Sequence, residues 1–398
     1  PGQISAEKTE GGEKGMTMVV PIGPQHPALK EPEYFRFEVK GEEIVDVDIY
    51  FGYAHRGIEE TFARRNYKHN IYLSERICGI CNICHSTCYS MAVERVAGIE
   101  PPERAKYVRS LILELERIHS HLLWLAVAAH QIGFDTLFML AMRDREHVMD
   151  MREIISGGRV HSATNAIGGV RRDVTREQIP KLLEKLDKVE KSVKYYINLF
   201  QTDRTIRSRC ENVGVLTKED AIKLCAVGPV ARASGVKTDI RVEDPYAAYP
   251  NLSFEVITET DGDVMAKGMV RLREMVESVK MVRQILKEMP NGPLRVPVDL
   301  KISPNEAVQR VEAPRGELLY YIRSNGTEIP ERVRVRTPTY ASAPSLKPMF
   351  VGGTVAEIPI VLWSLDVCFA CNDRVTLVDV NTGKAKIVTM EELKRWRK

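Results

Sequence analysis

Residues 103–133 read ERAKYVRSLILELERIHSHLLWLAVAAHQIG. Apolar side chains recur in this stretch at intervals of three or four residues, namely at Val108, Leu111, Leu115, Ile118, Leu122 and Leu125. Because an α-helix has about 3.6 residues per turn, these side chains share one face of the helix. The stretch therefore predicts a long amphipathic helix that packs into a core.

Two further stretches, residues 176–199 and 263–289, show the same periodicity. Three long helices joined in antiparallel order are typical of a helix bundle. We therefore expect a bundle as the core of the molecule, and Pro- and Gly-containing segments between the helices as irregular connections.

Strands are predicted on both sides of the bundle. Residues 34–39 and 44–50 alternate apolar and polar side chains around the turn at Lys40-Gly41-Glu42, which is typical of a β-hairpin. Shorter strands are predicted at residues 318–323 and 333–335. The predicted fold class is α+β, with a central long-helix bundle, a small N-terminal β-hairpin and peripheral short strands.

Three regions are predicted along the chain. Residues 1–17 are polar, rich in Gly, Glu and Lys, and lack hydrophobic periodicity, so they predict a flexible arm. Residues 18–374 form the main domain. Residues 375–398 predict a C-terminal extension, with a β-hairpin around Asn381-Thr382-Gly383 followed by a short helix.

Charge and hydropathy exclude two classes of protein. The 398 residues include 57 Lys+Arg and 54 Asp+Glu, a net charge of +3, so there is no overall basic field of the kind that nucleic-acid binding needs. The longest apolar stretch, residues 122–129, is far shorter than the roughly 20 residues that span a bilayer. We expect no nucleic-acid partner and no integral membrane segment.

The eight cysteines are unevenly distributed. Cys78 and Cys81 form one Cys-x-x-Cys pair, and Cys368 and Cys371 form a second pair 290 residues later. Two such pairs can supply four thiolates to one soft metal such as zinc, iron or nickel. A structural zinc and a dithiol that oxidises remain the alternatives, although zinc sites usually have their two pairs much closer in sequence.

The other four cysteines are less informative. Cys84 and Cys88 extend the first cluster, but the usual fourth Cys and Pro of an iron-sulfur run are missing, which argues against a cluster bound by this chain. Cys210 and Cys225 are interpreted as small core residues.

Several motifs together resemble a known family. ERICGIC at residues 75–81, followed by His85, and DVCFACNDR at residues 366–374 resemble the large subunit of nickel-iron hydrogenases, especially the membrane-bound energy-converting group. GPQHPA at residues 23–28 also resembles the quinone-site (49 kDa) subunit of respiratory complex I. Further matching motifs are RRNY at 64–67, ERIHSH at 116–121, GGVRRD at 168–173 and EAPRGE at 312–317.

The resemblance implies site residues. In the hydrogenases the cysteines that match Cys78, Cys81, Cys368 and Cys371 hold nickel, and two of them bridge to iron. The residue that matches Arg315 lies against the diatomic ligands of the iron, and the one that matches Glu31 passes protons. His85 completes the implied catalytic set. The simpler alternatives are a salt bridge from Arg315 to Glu312 or Glu317 and a solvated charge at Glu31.

The chain also departs from the hydrogenase pattern. Val367 replaces the proline that normally precedes the third cysteine, Asn82 stands where a small residue is usual, and the chain continues for 24 residues beyond Arg374, where some hydrogenase precursors are cut. These departures favour a relative, the archaeal membrane-bound sulfane-sulfur reductase, whose chemistry occurs beside the proximal iron-sulfur cluster of the small subunit. The four cysteines would then be an inherited and empty site.

The resemblance also implies partners and a location. Electrons from reduced ferredoxin would run through iron-sulfur clusters on partner subunits. Those partners are a small subunit with the proximal cluster, a ferredoxin-like subunit, a complex I 30 kDa-like subunit and antiporter-like membrane-arm subunits. The loop with Gln25 and His26 would approach the membrane arm or the cavity, at the cytoplasmic face of the membrane. Hydrogen evolution at a nickel-iron centre and a non-catalytic zinc scaffold are the alternative functions.

Overall fold

Helices dominate the computed structural model, which describes residues 17–372, 377–379, 382, 385, 386 and 395. In chain order the α-helices of this part are α1 (Ile58–Phe62), α2 (Tyr67–Glu75), α3 (Asn82–Ala97), α4 (Glu103–Gln131), α5 (Asp135–Ser156), α6 (Ile179–Thr202), α7 (Arg204–Cys210), α8 (Lys218–Lys223), α9 (Gly228–Ala233), α10 (Ile240–Glu243), α11 (Val264–Glu288), α12 (Pro338–Ser342), α13 (Leu346–Phe350) and α14 (Ile358–Ser364).

Helix α4 is the central element of the bundle. It is buried around most of its circumference and packs against α5, α11, α3 and α14. Helix α6 lies at the periphery and buries only one stripe of side chains, among them Leu182, Leu186 and Val189, against α5 and α11. A helix that is apolar on one stripe and charged elsewhere is stable only with that stripe covered.

The three predicted long helices are confirmed as α4, α6 and α11, with ends within three residues of the predicted positions. Helix α5 was not predicted, because its buried face includes Asp144 and Arg152 and so lacks a clean apolar period. Both polar side chains have partners in the core: Asp144 accepts a hydrogen bond of 2.6 Å from the Tyr196 hydroxyl, and Arg152 donates to the Val160 carbonyl.

The strands of the described residues form small antiparallel sheets. One contains β1 (Met18–Ile22), β2 (Tyr34–Lys40) and β3 (Glu43–Tyr50); a two-residue pair contains β4 (Asn165–Ala166) and β5 (Gly169–Val170); a second three-stranded sheet contains β6 (Glu306–Ala313), β7 (Gly316–Arg323) and β8 (Arg332–Arg336); and β9 (Leu377–Val378) pairs with β10 (Ala385–Lys386). The predicted α+β class, with a central bundle, an N-terminal hairpin and peripheral strands, is confirmed.

Two large hydrophobic cores hold these layers together. The large core lies inside the helix bundle and extends to β6 and β7, which pack on α3. The smaller core lies between the N-terminal sheet and α13 and α14, where Phe350 packs edge to face against both Phe35 and Phe37. The two cysteine pairs belong to the large core, at the place where the smaller core meets it.

One prediction about the cysteines is wrong. Cys210 is buried in α7 as expected, but Cys225 is exposed. Cys225 follows the end of α8 and has a φ of 54°, in the left-handed region that ends helices. The chain turns outward there and carries the thiol to the surface.

Among the described residues, no helix is both long enough and apolar enough to span a bilayer. The predicted N-terminal arm, Arg374, the turn at residues 381–383 and the C-terminal helix lie wholly or largely outside the described residues.

Candidate metal centre

The first cysteine pair lies in a tight turn just before α3. Cys81 is the residue that precedes the helix, and the backbone N–H groups of Ile80 and Cys81 both donate to the sulfur of Cys78, at 3.3 and 3.4 Å. Asn82 closes the turn by donating from its side chain to the Gly79 carbonyl. Two backbone donors aimed at one sulfur favour its ionised form.

The second pair lies just after α14. Residues Phe369–Cys371 form one turn of 3-10 helix, and the backbone N–H of Cys368 donates to the Thr339 hydroxyl at 3.1 Å. Phe369 anchors this turn in the smaller core, where its ring packs against Phe35 with centroids 6.0 Å apart. The second pair therefore depends on the N-terminal sheet for its position.

The fold brings the four sulfurs together. The sulfurs of Cys78, Cys81 and Cys371 all lie within 4.8 Å of one another. The sulfur of Cys368 lies 2.9 Å from that of Cys371 and 3.4 Å from that of Cys78. All four cysteines are buried and free. The two pairs thus form one buried cluster of thiols, and the binding of a metal by this cluster stays a prediction.

The four thiols are electrostatically unequal. Hydrogen bonds from the other three thiols lower the pKa of Cys78 well below its usual value. The hydrogen bonds that Cys371 makes to the other sulfurs, together with burial, raise the pKa of that thiol. Cys78 is therefore the thiol of this cluster that ionises most readily.

Arg315 lies beside the sulfurs, at the turn between β6 and β7. The turn packs against Gly228 so closely that a Cβ on Gly316 would lie 2.7 Å from the Gly228 nitrogen, and Gly316 has a φ of 125°. Arg315 donates to the Asp366 carbonyl at 2.6 Å and pairs with the Asp366 carboxylate at 2.9 Å. Burial disfavours its charge, but Asp366 and the thiols outweigh burial and raise the pKa of Arg315.

The salt-bridge partner of Arg315 is thus Asp366. Neither predicted partner has that role: Glu312 pairs with Arg232, and Glu317 pairs with Arg336. The Nη1 atom of Arg315 and the Oδ2 atom of Asp366 are buried and make no hydrogen bond within the described part of the chain.

Glu31 reaches the cysteines from the N-terminal loop. One carboxylate oxygen accepts a hydrogen bond of 2.9 Å from the Ala370 N–H, and the other lies 3.9 Å from the Cys368 sulfur. Burial raises the pKa of Glu31 above its usual value. A cavity of about 180 Å³ is lined by Glu31, Arg315, Cys368 and Val367, so Glu31 is not the solvated charge of the simpler alternative.

His85 occupies the opposite side of the cluster, on α3. Its Nε2 atom lies 3.9 Å from the Cys371 sulfur, and its Nδ1 atom lies 2.8 Å from the Tyr320 hydroxyl. Burial lowers the pKa of His85 to about 4, so the imidazole is neutral at neutral pH. Tyr320 fixes the ring orientation.

Other predicted site residues lie apart from the sulfurs. Gln25 and His26 are exposed on the N-terminal loop and do not line the cavity. Cys84 lies against Glu116, and the thiol of Cys88 donates to the Gln309 carbonyl, so both point away from the other four.

Sequence reasoning missed several side chains that support the site. Arg56, Thr339 and Tyr320 contact the cysteine loops or His85 from segments that lie far away in the sequence. No spacing rule connects them to the cysteines. An alignment of related sequences is the signal that could have found them.

Comparison with known proteins gives two family matches. The family described as "Respiratory-chain NADH dehydrogenase, 49 Kd subunit" matches residues 131–304 and 296–374, and the family described as "Nickel-dependent hydrogenase" matches residues 56–127. The second match includes the first cysteine pair, His85 and Arg56.

Individual relatives cover almost the whole chain. The chain is similar to the carbon monoxide-induced hydrogenase of Rhodospirillum rubrum, with 42% identity over 90% of this chain and 99% of that protein. It is 40% identical to the membrane-bound hydrogenase subunit alpha of Pyrococcus furiosus, over 94% of this chain and 91% of that protein. It is 38% identical to a subunit of the NADH-quinone oxidoreductase of Dehalococcoides mccartyi, over 91% and 99% respectively.

A solved structure has the same fold. A chain of the membrane-bound sulfane sulfur reductase, an archaeal respiratory membrane complex, superposes with a TM-score of 0.86 and 32% identity, over 90% of this chain and 98% of that chain.

Proposed function

The chain belongs to the family of large subunits that nickel-iron hydrogenases share with respiratory complex I, and from this we propose that it carries the hydrogen-evolving site of an energy-converting nickel-iron hydrogenase. The family membership confirms the resemblance predicted from the motifs. The chain is thus a subunit of an oxidoreductase complex of the membrane-bound, complex I-like kind, and it has partner subunits.

The observation that carries the proposal is the clustering of the four thiols, together with the cavity that one of them, Cys368, lines with Glu31 and Arg315. An inherited but unused site would impose no need to keep four cysteines, the proton carrier and the arginine together. The relatives described as hydrogenases are also 39–42% identical to this chain, against 32% for the sulfane sulfur reductase chain.

The residues fit the metal centre that the family implies. Four buried sulfurs are the soft donors that nickel and iron prefer. Arg315 lines the cavity, and its Nη1 atom, which makes no hydrogen bond to the described residues, is a donor suited to anionic ligands on the iron. When bound, a nickel-iron centre supplies the redox site at which two protons and two electrons combine to hydrogen.

The remaining roles belong to the protein. Cys78, Cys81, Cys368 and Cys371 hold the metals, and Glu31 carries protons between the cavity and the Cys368 sulfur. His85, neutral and held by Tyr320, orients Cys371 without adding charge. Electrons come from reduced ferredoxin through iron-sulfur clusters on the small subunit and on a ferredoxin-like subunit.

The proposed assembly includes a complex I 30 kDa-like subunit and antiporter-like membrane-arm subunits. This chain lies at the cytoplasmic face of the membrane in that assembly. The exposed loop with Gln25 and His26 faces the membrane arm, so that charge changes near Glu31 couple to ion movement.

Sulfane-sulfur reduction, which the sequence favoured, is the second candidate function. Two observations support it: the likeness to the sulfane sulfur reductase chain and Val367, which stands in place of proline and lines the cavity. In that reaction a sulfur-sulfur bond takes up two electrons from the partner's proximal cluster and breaks into two sulfide ends.

Metal analysis and product assays of the purified complex distinguish these functions. We expect about one nickel per chain and hydrogen evolution from reduced ferredoxin, both lost in Cys371→Ser. Cys225→Ser, which changes an exposed thiol outside the site, is the matched control and leaves both unchanged. Sulfide production from polysulfide without nickel would establish the second candidate, and stoichiometric zinc with unfolding on chelation would establish the scaffold alternative.

Glu31→Gln tests the proton carrier separately. The amide keeps the shape and accepts the Ala370 hydrogen bond but carries no transferable proton, so hydrogen evolution should fall by about 10²–10⁴-fold while the nickel content stays unchanged. Glu42→Gln, at an exposed position in the hairpin turn, is the control. Undiminished activity in Glu31→Gln would exclude this role.

A further inference from the structure

A single guanidinium group connects the two cysteine loops. Arg56 lies in the connection between β3 and α1, just before Gly57. Its Nη1 atom donates to the Arg76 carbonyl, and its Nη2 atom donates to the carbonyls of Ile77 and Ala370, all at 2.7 Å. Ile77 immediately precedes Cys78, and Ala370 immediately precedes Cys371.

We propose that Arg56 is a positioning residue that holds the two cysteine loops at the separation at which four thiols share one metal. The inference deepens the proposed function, on which it rests only for the identity of that metal.

Each loop has its own local support, which fixes its shape but not its distance from the other loop. Asn82 bonds within the first loop, whereas Thr339 and Glu31 bond to the second. Within the described residues, Arg56 is the side chain that donates hydrogen bonds to the backbone of both loops.

The site needs such a link because its two cysteine pairs are 290 residues apart in the sequence. The three hydrogen bonds of Arg56 oppose separation of the two loops before a metal binds.

The geometry requires arginine. Three carbonyl oxygens that belong to two loops are reached by the planar fork of a guanidinium, which presents donors in fixed directions. The ammonium of a lysine is a single point on a flexible stem and cannot hold both loops at a fixed spacing. Arg56→Lys, which keeps the positive charge, should therefore not restore the spacing of the two cysteine loops.

Disulfide mapping of the full chain measures the spacing directly. The metal-free, reduced chain is treated briefly with diamide, and the disulfides are identified by mass spectrometry of its peptides. The wild-type chain should give bonds between loops, above all Cys78–Cys368, whose sulfurs lie 3.4 Å apart, as well as bonds within each pair.

In Arg56→Ala and Arg56→Lys we expect the ratio of between-loop to within-loop disulfides to fall by about fivefold to thirtyfold. Arg64→Ala is the matched control, because Arg64 is an exposed arginine eight residues away that pairs with Glu60 of its own helix turn. The nickel content of the purified complex should fall in the two Arg56 variants and not in the control.

An unchanged disulfide ratio in Arg56→Ala, with a cooperative thermal unfolding transition, would overturn the inference. If the alanine variant does not fold, the lysine variant decides, because it keeps the charge and most of the side chain. A wild-type complex without nickel whose disulfide ratio still depends on Arg56 would refute the proposed metal while leaving the positioning role intact.

Discussion

Glu33 and Glu31 lie two residues apart on the N-terminal loop, yet their side chains differ in burial and in the groups they contact. Glu31 is half-buried and touches the second cysteine loop, whereas the side chain of Glu33 is almost fully buried and lies outside the cavity lining. Burial raises the pKa of Glu33 to about 8, with a further contribution from the charge of Glu31. At neutral pH Glu33 therefore retains its proton in the folded chain.

This pKa predicts a pH-dependent stability. The folded state holds the Glu33 proton up to about pH 8, while the unfolded chain releases it near pH 4.5, so the stability present at low pH is lost as the pH rises between these values. The loss is on the order of 3 to 5 kcal/mol. Glu33→Gln should remove it, raising the free energy of unfolding at pH 8 but not at pH 4.5.

Urea unfolding of the chain at both pH values measures the effect. Glu42→Gln, at an exposed site, should change neither value. Equal stability of wild type and Glu33→Gln at pH 8 would show that the carboxyl ionises in the folded chain without cost.

The ends of helices are stabilised by side chains from other parts of the chain as well as by their own capping residues. At the start of α3, the carboxylate of Glu116 on α4 accepts hydrogen bonds of 2.6 and 2.8 Å from the N–H groups of Ile83 and Cys84. An anion at a helix N-terminus is stabilising. This contact joins the helix that follows Cys81 to the centre of the bundle, so the bundle directly supports the first cysteine pair.

Helix α11 provides a test of how much the hydrogen bonds at a helix end contribute to stability. Its N-cap Asp263 accepts from the Ala266 N–H at 2.7 Å and, with its other oxygen, from the Asn212 N–H at 2.8 Å. Asp263→Ala should cost about 2 to 4 kcal/mol of unfolding free energy, since a cap is lost and a second N–H is left unsatisfied.

Asp203→Ala is the matched control for Asp263→Ala. Asp203 caps α7 through a bond of 3.0 Å from the Ile206 N–H, so its loss should cost only about 1 kcal/mol. Equal costs in urea unfolding would mean that the Asn212 bond contributes nothing.

Across the whole molecule, buried ion pairs connect the bundle to the sheet that carries Arg315. Arg232 of α9 is fully buried and donates to Glu274 of α11 at 2.8 Å and to Glu312 of β6 at 2.9 Å. Burial raises the pKa of Glu312 to about 7 despite the arginine. The position of the β6–β7 turn, and hence of Arg315, depends on charges that only the assembled fold can pair.

Arg232→Met should lower the free energy of unfolding by about 3 to 5 kcal/mol at pH 8, because two buried carboxylates each lose a charged partner. The cost should be smaller at pH 5.5, where Glu312 takes up a proton and becomes neutral. Arg283→Met, which breaks exposed pairs with Asp187 and Glu190, should cost at most about 1 kcal/mol at either pH. A pH-independent cost for Arg232→Met would contradict the titration of Glu312.

The sequence by itself was enough to locate the long helices α4, α6 and α11 and the N-terminal hairpin. It was also enough to single out the four cysteines, because hydrophobic periodicity and Cys-x-x-Cys spacing are local properties of a chain. The sequence did not predict helix α5, because the buried Asp144 and Arg152 interrupt its apolar periodicity. It also gave the wrong burial for Cys225, whose exposure follows from the backbone φ at that residue.

Only the tertiary structure decided which distant side chains meet at the cysteines. Asp366 rather than Glu312 or Glu317 pairs with Arg315, and Arg56 bonds to Ala370 across 314 residues of sequence. These contacts depend on the path of the whole chain, because the packing of the N-terminal sheet on α14 and of β6–β7 on α3 brings the segments together. No local pattern encodes that path, so the residues that complete the site become visible only in the fold.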